Sequence, residues 1–256
     1  MPGTSSGSWR VLVTRPAGQA DAMMAGLHKA GFAAVHVPVL SITPLPLSEA
    51  AKRQLLNVDE CHAVFFVSPN AARLGCAALA DVWPQWPVGV HWLAVGEATA
   101  AVLHEAGLPA EAPPEGFNSE AVLALPCLQS LADKRVMILR GDGGRPLFAD
   151  TLRDRGASVR TIALYQRDCA SDFCWPDGRL DAVLVTSVES WHCLHERAAA
   201  DLQGPLIIAG SERIAQVIRA AGYPRLQVAA SPHDEDMLAC LKTTTRPRTK
   251  RPRKSR

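Results

Sequence analysis

The sequence predicts an α/β protein built from two copies of one strand–loop–helix series. Three observations predict it. Short runs such as Val64-Phe65-Phe66-Val67 are wholly apolar, without alternation, which marks strands buried on both faces. Each run is followed by small polar residues and then an amphipathic stretch, and strands that alternate with helices form parallel sheets covered on both sides. The same pieces recur in the same order about 125 residues later, which points to a duplicated domain rather than a solenoid.

The elements follow in order. The first unit is the strand Val11-Leu12-Val13, the loop Thr14-Arg15-Pro16, a helical stretch to Lys29, Gly31 and a strand over residues 33–38. Its copy is Val136-Met137-Ile138-Leu139, then Arg140-Gly141, a helical stretch to Arg155, Gly156 and a strand over residues 158–165. The second unit, the strand 63–67 with Ser68-Pro69-Asn70, matches the strand 182–185 with Thr186-Ser187-Val188-Glu189. The third, Trp92-Leu93-Ala94-Val95 with Gly96-Glu97-Ala98-Thr99, matches Leu206-Ile207-Ile208-Ala209 with Gly210-Ser211-Glu212-Arg213. The fourth is a capped helix, Asn118-Ser119-Glu120, matched by Asp234-Glu235-Asp236. Helices are expected to stop at Gly31, Gly107, Gly156 and Gly222, because glycine accepts the left-handed conformation that closes a helix.

Composition fits this plan and narrows the setting. The chain has 256 residues, 48% hydrophobic and 20% charged, enough for two domains with real cores. No apolar run approaches the ~20 residues of a membrane helix, and the first residues lack a charged-then-apolar leader, so a cytoplasmic protein with no membrane contact is expected. Seven of the 27 basic residues and none of the 25 acidic ones lie in residues 243–256; the remainder is net acidic, and the formal +2 comes from the tail alone. That segment has nothing apolar to bury and is expected to be a disordered basic tail. A nucleic-acid role through it is disfavoured. Seven cysteines are scattered without a Cys-x-x-Cys pair, so they are read as reduced and structural, with neither a disulfide framework nor a zinc site.

In parallel α/β sheets, ligands bind beyond the carboxyl ends of the strands. The loops there, residues 14–19, 68–70, 96–99, 140–145, 186–190 and 210–213, are rich in Gly, Ser, Thr and Asn, and each precedes a helix. Helix N-termini offer N–H groups and a positive dipole end, which suit carboxylates or phosphates. Each Ser or Thr alone is an ordinary helix cap; six such loops together predict an anion site. The phosphate loop of nucleotide enzymes and the Gly-x-Gly-x-x-Gly turn are absent, and no Gly-x-Ser-x-Gly elbow follows a strand. His192 and His195 can share a helix face, but no third ligand has suitable spacing, so no metal is expected.

The series Val13-Thr14-Arg15-Pro16 with Gln19, Val67-Ser68-Pro69-Asn70, Val95-Gly96-Glu97-Ala98-Thr99, Asn118-Ser119-Glu120, Leu139-Arg140-Gly141 with Gly144-Arg145, Arg155-Gly156, Leu164-Tyr165-Gln166-Arg167 and Thr186-Ser187 resembles the uroporphyrinogen-III synthase family. The resemblance covers residues 10–241. It implies an enzyme that cyclises hydroxymethylbilane, a linear tetrapyrrole with eight carboxylates, to uroporphyrinogen III, inverting the last pyrrole ring and losing water. It implies no cofactor and no metal. It also implies a cytoplasmic monomer with transient contact to the preceding enzyme of tetrapyrrole (heme) biosynthesis.

The implied fold is two similar parallel-sheet, flavodoxin-like domains, interleaved and joined by a two-stranded linker. One domain would hold residues 1–38 and 168–242, the other 39–167, with substrate in the cleft between them. Carried over residue by residue, the catalytic candidate is Tyr165, at the linker. The substrate-binding candidates are Thr14, Arg15, Ser68, Asn70, Gly96, Thr99, Ser119, Arg140, Gly141, Ser187 and Ser211. Glu189 and Glu212 depart from the family pattern, since a glutamate facing a poly-anion is unfavourable unless it points away or Arg213 compensates. Two other readings compete: a non-catalytic two-domain binding protein for an anionic small molecule, against which the missing export signal counts, and a nucleotide-dependent α/β enzyme, against which the missing phosphate motifs count.

Overall fold

A computed structural model describes residues 8–114, 118–144 and 146–245. The chain starts with β1 (Arg10–Val13), α1 (Asp21–Lys29) and β2 (Ala33–His36), then β3 (Leu40–Pro44). There follow α2 (Glu49–Leu56), β4 (Ala63–Phe66), α3 (Pro69–Ala80), β5 (His91–Ala94), α4 (Glu97–Glu105), α5 (Ser119–Leu123), β6 (Arg135–Gly141), α6 (Leu147–Asp154) and the long β7 (Ser158–Cys169). The last stretch holds β8 (Ala182–Val185), α7 (Val188–Ala198), β9 (Leu206–Ala209), α8 (Glu212–Ala220), β10 (Leu226–Val228) and α9 (Asp234–Thr245). Two compact units result: one takes the chain up to Ser41 and again from Asp168, the other takes Ile42–Arg167.

Each unit holds one five-stranded sheet. The first has the order β10-β9-β8-β1-β2, and its pairs are parallel. The second has the order β3-β7-β6-β4-β5, with parallel β7-β6, β6-β4 and β4-β5 pairs. A parallel bridge from Leu93 to Glu111 adds a further strand position beyond β5. Leaving β3 aside, both sheets follow one plan: a first strand, its successor on one side and three more on the other. That is the doubly wound 2-1-3-4-5 order, and it is the duplication read from the sequence.

The apolar strands are buried on both faces for the expected reason: successive side chains point to opposite layers. Val64 and Phe66 pack with Leu79 of α3 and Leu103 of α4, while Ala63 and Phe65 pack with Leu123 of α5 and Leu152 of α6. In the other unit Val183 and Val185 meet Trp191 of α7 and Ile218 of α8, and Ala182 and Leu184 meet Leu27 of α1 and Met237 of α9. Each fully buried side chain of this size contributes roughly 1.5–3 kcal/mol, so the two sheets are the main stabilising layers. The four predicted helix stops are all left-handed, with φ between 78° and 91° at Gly31, Gly107, Gly156 and Gly222.

Three features differ from the sequence reading. The expected strand over residues 158–165 runs on to Cys169, because β3 lies alongside it. The backbone N–H of Leu45 donates to the Leu164 carbonyl at 2.9 Å and that of Ala170 to Val39 at 3.0 Å, a register that makes the two strands antiparallel. The chain passes between the units inside this ribbon, at 41/42 and 167/168.

The cysteines are not all reduced. Cys169, at the end of β7, is bonded to Cys193 of α7, with Cα atoms 5.3 Å apart. A separation of 24 residues carries no motif; only the packing of β7 against α7 brings the two sulfurs together. Helix α9 also runs to Thr245, three residues into the expected disordered tail. The Thr243 and Thr244 hydroxyls donate to the carbonyls of Ala239 and Cys240, which lets threonine continue the helix. The rest of the basic tail, residues 246–256, lies outside the described residues.

Candidate functional site

The carboxyl-end loops carry nearly all the residues singled out from the sequence. In the unit formed by residues 42–167, Ser68 caps α3: its Oγ accepts the N–H of Ala71 at 3.1 Å. The Tyr165 hydroxyl lies 2.9 Å from the same oxygen, so two hydroxyls from strands far apart in sequence form one pair. The Tyr165 side chain is only 3% exposed, so its ring belongs to the core while its oxygen is committed to Ser68.

That packing requires Gly141. A Cβ there would stand 2.6 Å from Cε2 of the Tyr165 ring. Gly141 ends β6 beside a register shift opposite Tyr165, and the N–H of Asp142 donates to the Tyr165 carbonyl at 2.6 Å. Arg140 sits one residue earlier. Burial lowers its pKa, and the charge of Arg167 on β7 lowers it further, partly offset by Tyr165 and Asp142. A guanidinium remains protonated regardless, so half-buried Arg140 keeps its charge, with exposed Arg167 and the Asp142 carboxylate near it. Gly144, at φ 93°, leaves the room that the Arg140 guanidinium occupies.

The remaining residues of this unit have mixed placements. Asn70 lies in the first turn of α3, where its Oδ1 accepts from Arg73 at 3.3 Å. Gly96 caps α4 with extended backbone, and Thr99 is 1% exposed within that helix. Asn118 caps α5, its Oδ1 accepting the Ala121 N–H at 2.8 Å. Ser119 lines a shallow hollow with Glu120, Leu123, Leu147 and Phe148, a lining that includes no other candidate residue.

In the other unit Ser187 and Ser211 are the N-caps of α7 and α8, accepting from Ser190 and Ile214. Ser190, 2% exposed, shares a 2.7 Å hydroxyl contact with Ser187. Thr14 and Arg15 have partners within this unit. The Thr14 hydroxyl is buried and donates to the Leu184 carbonyl at 2.8 Å, tying β1 to β8. Arg15 donates to the Pro232 carbonyl at 2.7 Å and pairs with Asp234 at 2.5 Å, so its charge is neutralised at the start of α9. The out-of-pattern Glu212 pairs with Arg219 further along α8. The two histidines weighed as a metal pair separate: His192 is exposed, while the His195 ring stacks on Trp191 at 5.3 Å and meets Tyr223 edge-on.

The fold and these loops coincide with one known family. The family model described as uroporphyrinogen-III synthase HemD matches residues 21–239. The curated uroporphyrinogen-III synthase of Escherichia coli (strain K12) is 32% identical over 245 residues, covering 90% of this chain and 99% of the relative. The chain belongs to the uroporphyrinogen-III synthase family. The uroporphyrinogen-III synthase of Salmonella typhimurium is 31% identical over 249 residues, again with 90% and 99% coverage.

Solved structures agree on the fold. The uroporphyrinogen-III synthetase of Helicobacter pylori superposes with a TM-score of 0.62 at 15% identity, covering 92% of this chain and 99% of that one. A mutant uroporphyrinogen III synthase of Thermus thermophilus superposes with a TM-score of 0.59 at 21% identity, covering 92% and 98%.

Two further residues, one in each unit, adjoin the candidate residues. Arg167 stood inside the quoted stretch that ends β7 but was not assigned a role; its spacing of two from Tyr165 on a strand was the available signal. Ser190 carried no signal, since a serine three residues past a cap reads as helix interior.

Proposed function

We propose that this chain is a uroporphyrinogen-III synthase that cyclises hydroxymethylbilane, with inversion of the last pyrrole ring and loss of water. Family membership carries the reading, and the Ser68–Tyr165 hydroxyl pair at the carboxyl edge of its sheet gives it a candidate acid. The substrate's hydroxyl leaves as water once protonated, and the cation left behind is stabilised by the pyrrole nitrogen. A positioned hydroxyl that donates a proton in that step accelerates it. Tyr165 donates through Ser68, whose Oγ is half-buried and also holds the α3 N-terminus.

Binding of the carboxylates falls to the helix-start loops: Ser68 and Asn70, Gly96, Gly141 beside Arg140, and the Ser187 and Ser211 caps. Helix dipoles and N–H groups suit several carboxylates without a strongly basic protein, in keeping with the acidic balance of residues 1–242. Thr14 and Thr99 support these loops from within, and Ser119 extends the edge at α5. The enzyme works as a cytoplasmic monomer, needs no cofactor, and receives its labile substrate in transient contact with the enzyme that makes it.

Tyr165→Phe tests the assignment. It keeps the ring on Gly141 and removes only the oxygen. Turnover of hydroxymethylbilane above the spontaneous rate is expected to fall severalfold or more, with the thermal midpoint nearly unchanged. Kinetics equal to the parent enzyme would take Tyr165 out of the mechanism.

A further inference from the structure

A second constellation lies at the opposite, amino end of the β6-β4-β5 sheet. The ligand atoms of His91, Glu111 and Cys127 all lie within 4.8 Å of one another. They come from three segments. His91 opens β5, paired in register with Ala63, and its N–H donates to the His62 carbonyl at 3.0 Å. Glu111 occupies the strand position beyond β5: its N–H donates to Trp92 and its carbonyl accepts from Ala94, both at 2.8 Å. Cys127 lies in a single 3-10 turn (Pro126–Leu128), and the His62 ring nitrogen Nε2 contacts its carbonyl at 2.8 Å. Backbone pairing therefore fixes two donors, and a histidine ring steadies the third.

We propose that His91, Glu111 and Cys127 form a site for one zinc-class divalent cation, with water in the fourth position and His62 as the residue that positions Cys127. The donor set decides the class. Imidazole and thiolate select zinc-like borderline ions over magnesium or calcium, which take oxygen ligands. Zinc bonds of about 2.0–2.3 Å in tetrahedral array put neighbouring ligand atoms about 3.5 Å apart. The observed spread closes to that value by side-chain rotation, which the exposure of His91 and Glu111 allows. Binding replaces the Cys127 thiol proton by the metal and releases it to solvent. His62 acts on the backbone carbonyl of Cys127, so it holds the turn that carries the sulfur. The ion would clasp β5, the 111 strand and the 126–128 turn together. It stands about 17 Å along the sheet from Ser68, by the rise of a strand, so its role is structural rather than chemical.

Cobalt(II) reads the site directly. The full-length protein, with its Cys169–Cys193 bond intact, stripped with chelator and carrying Cys174→Ser to remove the exposed thiol, is titrated with Co2+ and then Zn2+. One equivalent of Co2+ should produce a thiolate-to-cobalt charge-transfer band that zinc abolishes. Cys127→Ser should lose the band. His91→Ala and Glu111→Gln, both at exposed side chains, should each weaken zinc at least tenfold while leaving hydroxymethylbilane turnover unchanged. Absence of a stoichiometric band, or its survival in Cys127→Ser, overturns the proposal.

Discussion

At the scale of single residues, Gly141 has no side chain because the Tyr165 ring occupies that space. A methyl group at 141 would press on the ring at 2.6 Å, and neither the buried ring nor the strand can yield freely. Gly141→Ala is expected to cost about 1–3 kcal/mol, as overpacking does, and to lower turnover along with stability by moving the tyrosine oxygen off Ser68. A denaturant midpoint equal to that of the parent would show that the ring is not held as described. Ser68 and Gly141 were legible as members of recurring loops, and Tyr165 through the family resemblance. Their contact was not, since 97 residues separate the two hydroxyls and nothing local encodes the pairing. Thr14 and Arg15 show the complementary limit. A polar residue after a strand reads as a ligand contact, and only the fold reveals that one hydroxyl ties two strands and that Asp234 neutralises the guanidinium.

At the scale of elements, the buried strands and the glycine helix stops were legible because their causes are local: apolar runs, and a left-handed residue that only glycine adopts cheaply. The extension of β7 to Cys169 was not, because it depends on β3 from a distant part of the chain. The Cys169–Cys193 bond follows from the same packing. Closing a loop of 24 residues contributes about 3 kcal/mol by restricting the unfolded chain. Mass spectrometry of the non-reduced protein should recover the linked peptides, and reduction should lower the thermal midpoint. Fully free thiols at both positions in protein purified without reductant would contradict the assignment. The bond anchors the last residue of β7 to α7, whose N-terminus holds the Ser187–Ser190 pair, so loss of this link should loosen that loop first.

At the scale of the whole molecule, the internal repeat gave two similar series of strands, and the structure arranges them as two sheets of the same order. A cut at the duplication point would have produced two self-contained halves. Instead the compact units exchange their first strands, one running through residue 41 and resuming at 168. Repetition reveals the content of each series but not which strand pairs with which copy; the resemblance to the uroporphyrinogen-III synthase family supplied that step, through motif order over most of the chain. The amino-end cluster of His91, Glu111 and Cys127 escaped any such reading, because its donors have no recurring spacing and meet only through sheet register.

The central claim, that this chain closes hydroxymethylbilane with inversion of the last ring, is tested most directly by the isomer it makes. Hydroxymethylbilane incubated with purified protein, then oxidised and resolved chromatographically, should yield predominantly the type III porphyrin, while the protein-free control yields the spontaneous type I. Type I alone in both samples would contradict the account.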